Sequence, residues 1–124
     1  MLKPIKIEFV NHNECRNASV GDYGEDEHGV WFKIANDLGT DARTVACMIH
    51  ELWEKFRNDQ LGISDKSVDD FDEAHMDDDD PGSLLDAPYH KTHMESDALE
   101  RMCIIMAGDD WTEYDNAVNN LPWE

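Results

Sequence analysis

The chain has 124 residues, and its 29 acidic against ten basic side chains leave a net charge of −19. Such a surface repels phosphates, which excludes direct nucleic-acid binding, and no apolar run is long enough to span a bilayer. Three widely spaced cysteines, Cys15, Cys47 and Cys103, form neither a disulfide frame nor a Cys-x-x-Cys knuckle; they read as reduced thiols of a cytoplasmic protein.

The length is that of a single domain, residues 1–124. No signal peptide opens the chain. Lys3 to Val10 alternates, with Ile5, Ile7 and Phe9 on one side, and predicts a half-buried strand. Asn11 to Ser19 is polar and turn-like. A short strand is expected over residues 20–24. After a turn at residues 25–29, a clear strand follows over Val30 to Ala35.

Asp41 is placed as the N-cap of a first helix running to about Gln60, with Gly62 closing it. Ser64 caps a second helix, to about His75, with Val68, Phe71 and Ala74 inward. Between Asp65 and Asp80 acids outnumber bases nine to one, which reads as a solvated face. The run Asp77–Asp80 lacks the spaced ligands and closing glutamate of an EF-hand. Pro88 suits the first turn of a third helix, to about Ala107, whose apolar side is Met94, Ala98, Leu99, Met102, Ile105 and Met106. Gly108 ends it, and Asp110 to Asn119 forms a short fourth. Strands first and helices after give an α+β fold, a small antiparallel sheet of two or three strands packed against about four helices.

The first helix carries His50-Glu51-Leu52-Trp53-Glu54. Residues four apart share a helix face, so His50 and Glu54 can grip one ion, with Glu51 one position round. Their neighbours Val45, Met48, Ile49, Leu52, Trp53 and Phe56 are apolar, which puts His50 on or beside a core-facing stripe. A protein-held metal needs at least three ligands. The third helix offers His93, with His90 as the alternate, and Asp97 and Glu100 as acceptors for an imidazole N–H. Bundled helices commonly build metal sites in this way. His12, His28 and His75 receive no role.

Strands followed by this helix resemble a minimal zincin-like metallopeptidase core. The stretches Gly21–Tyr23, Gly29–Ile34, Ile49–Glu54 and Ala87–His93 also look like small phage and prophage proteins. The resemblance implies a phage-borne protein in the cytoplasm of a host cell, holding one divalent transition metal. His50 stands at the first ligand histidine of the zincin helix, Glu51 at the general base, and Glu54 where the second histidine belongs. A carboxylate there makes bound water less acidic and admits manganese or iron beside zinc, which remains first choice. The expected activity is peptidase-like hydrolysis, with a peptide or protein substrate. The alternative is a non-enzymatic acidic protein, a host-factor inhibitor or DNA mimic, with a structural metal.

Overall fold

The computed structural model describes all residues, Met1–Glu124. Three strands, β1 (Ile5–Val10), β2 (Gly21–Asp26) and β3 (Gly29–Ala35), precede four helices: α1 (Asp41–Gln60), α2 (Asp65–Ala74), α3 (His90–Met106) and α4 (Trp111–Asn119). The fold is α+β, as expected. No helix is long and apolar enough to cross a membrane.

The sheet order is β1-β3-β2. β2 and β3 form an antiparallel hairpin, but β1 runs parallel to β3, in register from Ile5 opposite Val30 to Val10 opposite Ala35. The expected all-antiparallel sheet is thereby corrected. A parallel pair needs a crossover connection. Residues 11–20 supply it, through 3-10 turns at His12–Glu14 and Arg16–Ala18 that carry the chain to the far edge of β3. Gly29 has a φ of +127°, and a Cβ there would lie 2.3 Å from the Pro4 carbonyl oxygen. Glycine at the head of β3 therefore lets β1 start close enough for Val30 N–H to donate to Pro4 O at 2.9 Å.

β1 is an edge strand, and the expected half-buried face is mostly open. Ile5 and Phe9 are exposed, and only Ile7 packs partly on the core. That core lies between β3 and the helices: Phe32, Ile34, Ala35 and Leu38 meet Ala46, Cys47, Ile104 and Tyr114. A smaller cluster of Val68, Ala87 and Tyr89 sits under Ile63 and Phe71.

Thr40, not Asp41, caps α1, its hydroxyl accepting from Arg43 N–H; Asp41 is the first helical residue, where its charge suits the helix dipole. Ser64 caps α2 as predicted, and Gly62 (φ +73°) takes the left-handed position after α1. α3 begins at His90, two residues beyond Pro88.

The larger correction concerns which side of α3 is inside. Met94, Ala98, Met102, Ile105 and Met106 are exposed, and the buried side is Thr92, His93, Ser96, Glu100 and Ile104. This polar seam packs against a matching one on α1, namely Cys47, His50, Glu51, Glu54 and Asn58. Spacings of three and four keep each set on one helix face. The helices run in opposite directions, so Asn58 meets Thr92 (2.5 Å), Glu54 meets His93 (3.1 Å) and His50 meets Glu100 (2.7 Å).

Two ionic clamps hold the frame. Arg43 forks onto Asp109 at 2.7 and 3.1 Å, tying the start of α1 to the end of α3. The Lys55 ammonium, 3% exposed, bonds Glu25, Asp59 and Asp65 at 2.8 to 3.1 Å, linking β2, α1 and α2. Lys55→Met would leave three carboxylates facing one another. The expected loss of stability is about 2–3 kcal/mol, below the ~3–5 of a fully buried broken pair because the carboxylates keep contact with water. Urea unfolding with an unchanged midpoint would show that the clamp carries no weight.

His12, given no role from the sequence, pins the C-terminal tail. Its Nδ1 meets Asp37 at 2.5 Å, its Nε2 donates to Pro122 O at 2.9 Å, and Trp123 packs edge-on against the ring. The Asp37 carboxylate and the Pro122 carbonyl raise its pKa against the opposing effect of burial.

Candidate metal centre

The two polar seams enclose the site. His50 Nδ1 lies 2.7 Å from Glu100 Oε1, and His50 Nε2 lies 3.2 Å from Glu54 Oε2. The same Glu54 oxygen is 3.1 Å from His93 Nδ1. His50, Glu54 and His93 thus converge as a buried group able to hold a metal ion. The imidazoles meet edge to face, with centroids 4.9 Å apart. His90 turns elsewhere, its Nδ1 donating to Gly82 O at 3.0 Å, and takes no part in the cluster. Tyr89 donates its hydroxyl to Asp72.

A second ring of groups fixes these side chains. Tyr23 donates to Glu54 Oε1 at 2.9 Å, and Asn58 Nδ2 donates to the Tyr23 hydroxyl at 3.2 Å. Tyr114 donates to Glu100 Oε2 at 2.6 Å. Histidine ligands are commonly held through their second nitrogen by a carboxylate. Glu100, itself held by Tyr114, fills that role for His50.

Glu51 enters none of these bonds. It is 8% exposed and lines the same cavity, which measures about 570 Å³. Strand β2 opens with glycine at this point. A Cβ on Gly21 would lie 2.4 to 2.6 Å from the Glu51 side chain, so the missing Cβ is the space the carboxylate occupies.

The electrostatics separate the two glutamates. Burial, reinforced by the neighbouring charges of Glu54 and Glu100, pushes Glu51 up to about 8. Burial acts on Glu54 in the same direction, but hydrogen bonds from His50 and His93 outweigh it and hold Glu54 down to about 2. For His93, burial opposes the charged ring, yet Asp80 and Glu54 lift it to about 10. His50 is likewise raised, by Glu100 and Glu54 against burial. Without an ion, protons on two imidazoles supply the positive charge among the carboxylates.

This predicts an unusual pH dependence for chelator-treated protein. Between 4.5 and about 8, folded Glu51 keeps a proton that the unfolded chain has released, and between 6.5 and about 10 folded His93 does the same. The folded state then binds more protons, so stability falls as pH rises through both windows. Glu54 acts oppositely: its contribution is present above 4.5 and lost as pH falls toward about 2. Urea midpoints of the metal-free protein should decline from about pH 5 to about pH 9, and a rising midpoint would contradict the assignment.

Sequence reasoning missed Asp80, Tyr23, Asn58, Thr92 and Tyr114. Asn58 was accessible, since it continues the α1 face four residues beyond Glu54. Asp80 sits in the acidic run and carried no distinguishing signal. All three cysteines are free. Compared with family models, with curated proteins and with solved structures, the chain matches none.

Proposed function

We propose that the protein is a divalent-metal-dependent hydrolase, peptidase-like and related in its helix motif to zincins. The observation that carries this reading is the convergence of His50 Nε2 and His93 Nδ1 on Glu54 Oε2, at 3.2 and 3.1 Å, beside a buried, otherwise unbonded Glu51. Two neutral imidazoles and one carboxylate are a donor set suited to zinc, with manganese or iron next. The ion, when bound, would supply a Lewis acid that polarises a carbonyl and acidifies water.

The chain's own groups do the rest. Glu100 and Tyr114 set the His50 ring, and Tyr23 sets Glu54. Glu51 takes a proton from the attacking water and returns it to the leaving group. The closed seam of Asn58 and Thr92 keeps bulk water from one side. The resemblance to phage and prophage proteins would put this activity in a host cytoplasm, a reducing compartment that suits three free thiols. The reading is tested by hydrolysis assays on mixed peptide and ester substrates, with zinc, manganese or iron supplied to chelator-stripped protein. Turnover that needs the ion supports it; no turnover with any of the three ions removes it.

A further inference from the structure

Three of the four ring nitrogens of the histidine pair have hydrogen-bond partners. The fourth, His93 Nε2, is buried and makes no aligned hydrogen bond, only an ion pair with Asp80, on a residue 9% exposed. Yet Asp80 Oδ1 lies 2.8 Å away and Asp97 Oδ2 lies 3.7 Å away. A carboxylate oxygen so close without a bond is off the N–H axis. That is where oxygens stand when they share an ion with the nitrogen: two ligands each about 2.0–2.1 Å from one ion sit about 2.9–3.3 Å apart, beside rather than in line with each other.

Other features converge on the same edge. Asp80, His93 and Asp97 form their own group able to hold an ion. A Cβ on Gly82 would lie 2.4 Å from His93 Cγ, so the turn that carries Asp80 lies directly against the ring. The cavity is lined by eleven carboxylates and one guanidinium, and that guanidinium, Arg16, is already taken by Asp22 and Asp69. One divalent ion leaves most of that negative charge unbalanced.

We infer that the outer edge of His93 is a second cation position, held by Asp80, His93 Nε2 and Asp97, so that the centre takes two divalent ions. This rests on the reading of His50, Glu54 and His93 as the first. With both filled, His93 faces one ion through Nδ1 and the other through Nε2. Holding an ion at Nε2 as well as at Nδ1 would require the ring to give up its last N–H proton to solvent. Two carboxylates and one imidazole make a harder donor set than the inner one, so the outer position admits manganese more readily than the inner one does. Asp80 and Asp97 side chains are 48% and 31% exposed, so the outer ion exchanges more readily than the inner one.

The test is titration of chelator-stripped, full-length protein with manganese, reading free Mn(II) by its electron-spin resonance signal. Wild type should bind two equivalents. Asp80→Asn should bind one and keep the tighter one, and Asp97→Asn provides a second variant on the same position. Asp80 makes no side-chain cap bond, so the substitution touches only its pairing with His93, and circular dichroism of each variant checks the fold. A single equivalent in wild type overturns the inference, whether or not Asp80→Asn removes it, and so do two equivalents that neither variant reduces. No binding of manganese overturns the inference, and no binding of zinc in a parallel dialysis then overturns the metal reading of the site as a whole.

Discussion

Glu51→Gln should keep the ion and the fold while losing turnover by about 10²–10⁴-fold, the usual contribution of a positioned general base. Glutamine has the same size and can still hydrogen-bond, but it cannot accept a proton. Glu51 bonds none of His50, Glu54 or His93 and fills a space made by Gly21, so the swap disturbs no ligand. It also removes a carboxyl whose burial and neighbours oppose its ionisation, and metal-free protein should become no less stable at neutral pH. Glu54→Gln gives the contrasting result. It removes the charge of the carboxylate shared by both imidazoles and should weaken metal binding itself. If Glu51→Gln sheds the ion instead, Glu51 is a ligand and the zincin analogy fails. Protein that never hydrolyses any substrate would return the lead to an acidic inhibitor, tested by competition with DNA for a host nucleic-acid-binding protein.

His50→Ala should lose the ion and, in chelator, about 3–5 kcal/mol of stability as well, because it leaves buried charges uncompensated. Its ring is the common partner of Glu100 and Glu54, both buried. Wild-type protein should separately gain about 2.7 kcal/mol from an ion at a hundredfold excess over its dissociation constant, since the ion joins α1 to α3 only in the folded state. Melting with and without chelator reads both effects. Wild type should shift, whereas His50→Ala should melt low in either buffer. A wild type that melts at one temperature in both would mean that no ion ties the helices together.

Much of α1 was legible from the sequence, because its signals are local. A polar start (read one residue late, at Asp41 instead of Thr40), a terminal glycine and the spacing of His50 and Glu54 all act within a few residues. His93 could be named because a protein-held ion needs a third ligand and the next helix offered one. The inward face of α3 was not legible. Helical periodicity separates the Met94–Met102–Ile105 side from the Thr92–Ser96–Glu100 side, but it does not say which one meets a neighbour. Here the polar side turns inward because α1 presents an equally polar face, and only the pairing of the two seams satisfies both. The parallel pairing of β1 was hidden for a related reason, since a crossover through a polar connection leaves no mark on the strand itself. Asp80 was hidden by its neighbours: composition marks residues 77–80 as acidic, and only the fold against Gly82 and His93 singles out one carboxylate.

The central claim is that His50, Glu54 and His93 hold a metal ion. The direct measurement is elemental analysis of wild-type and His50→Ala protein after equilibrium dialysis against micromolar zinc or manganese. Wild type should hold at least one bound equivalent, and the variant should lose the ion held by this triad. Wild-type protein that stays metal-free, or a variant that binds as much as wild type, would contradict it.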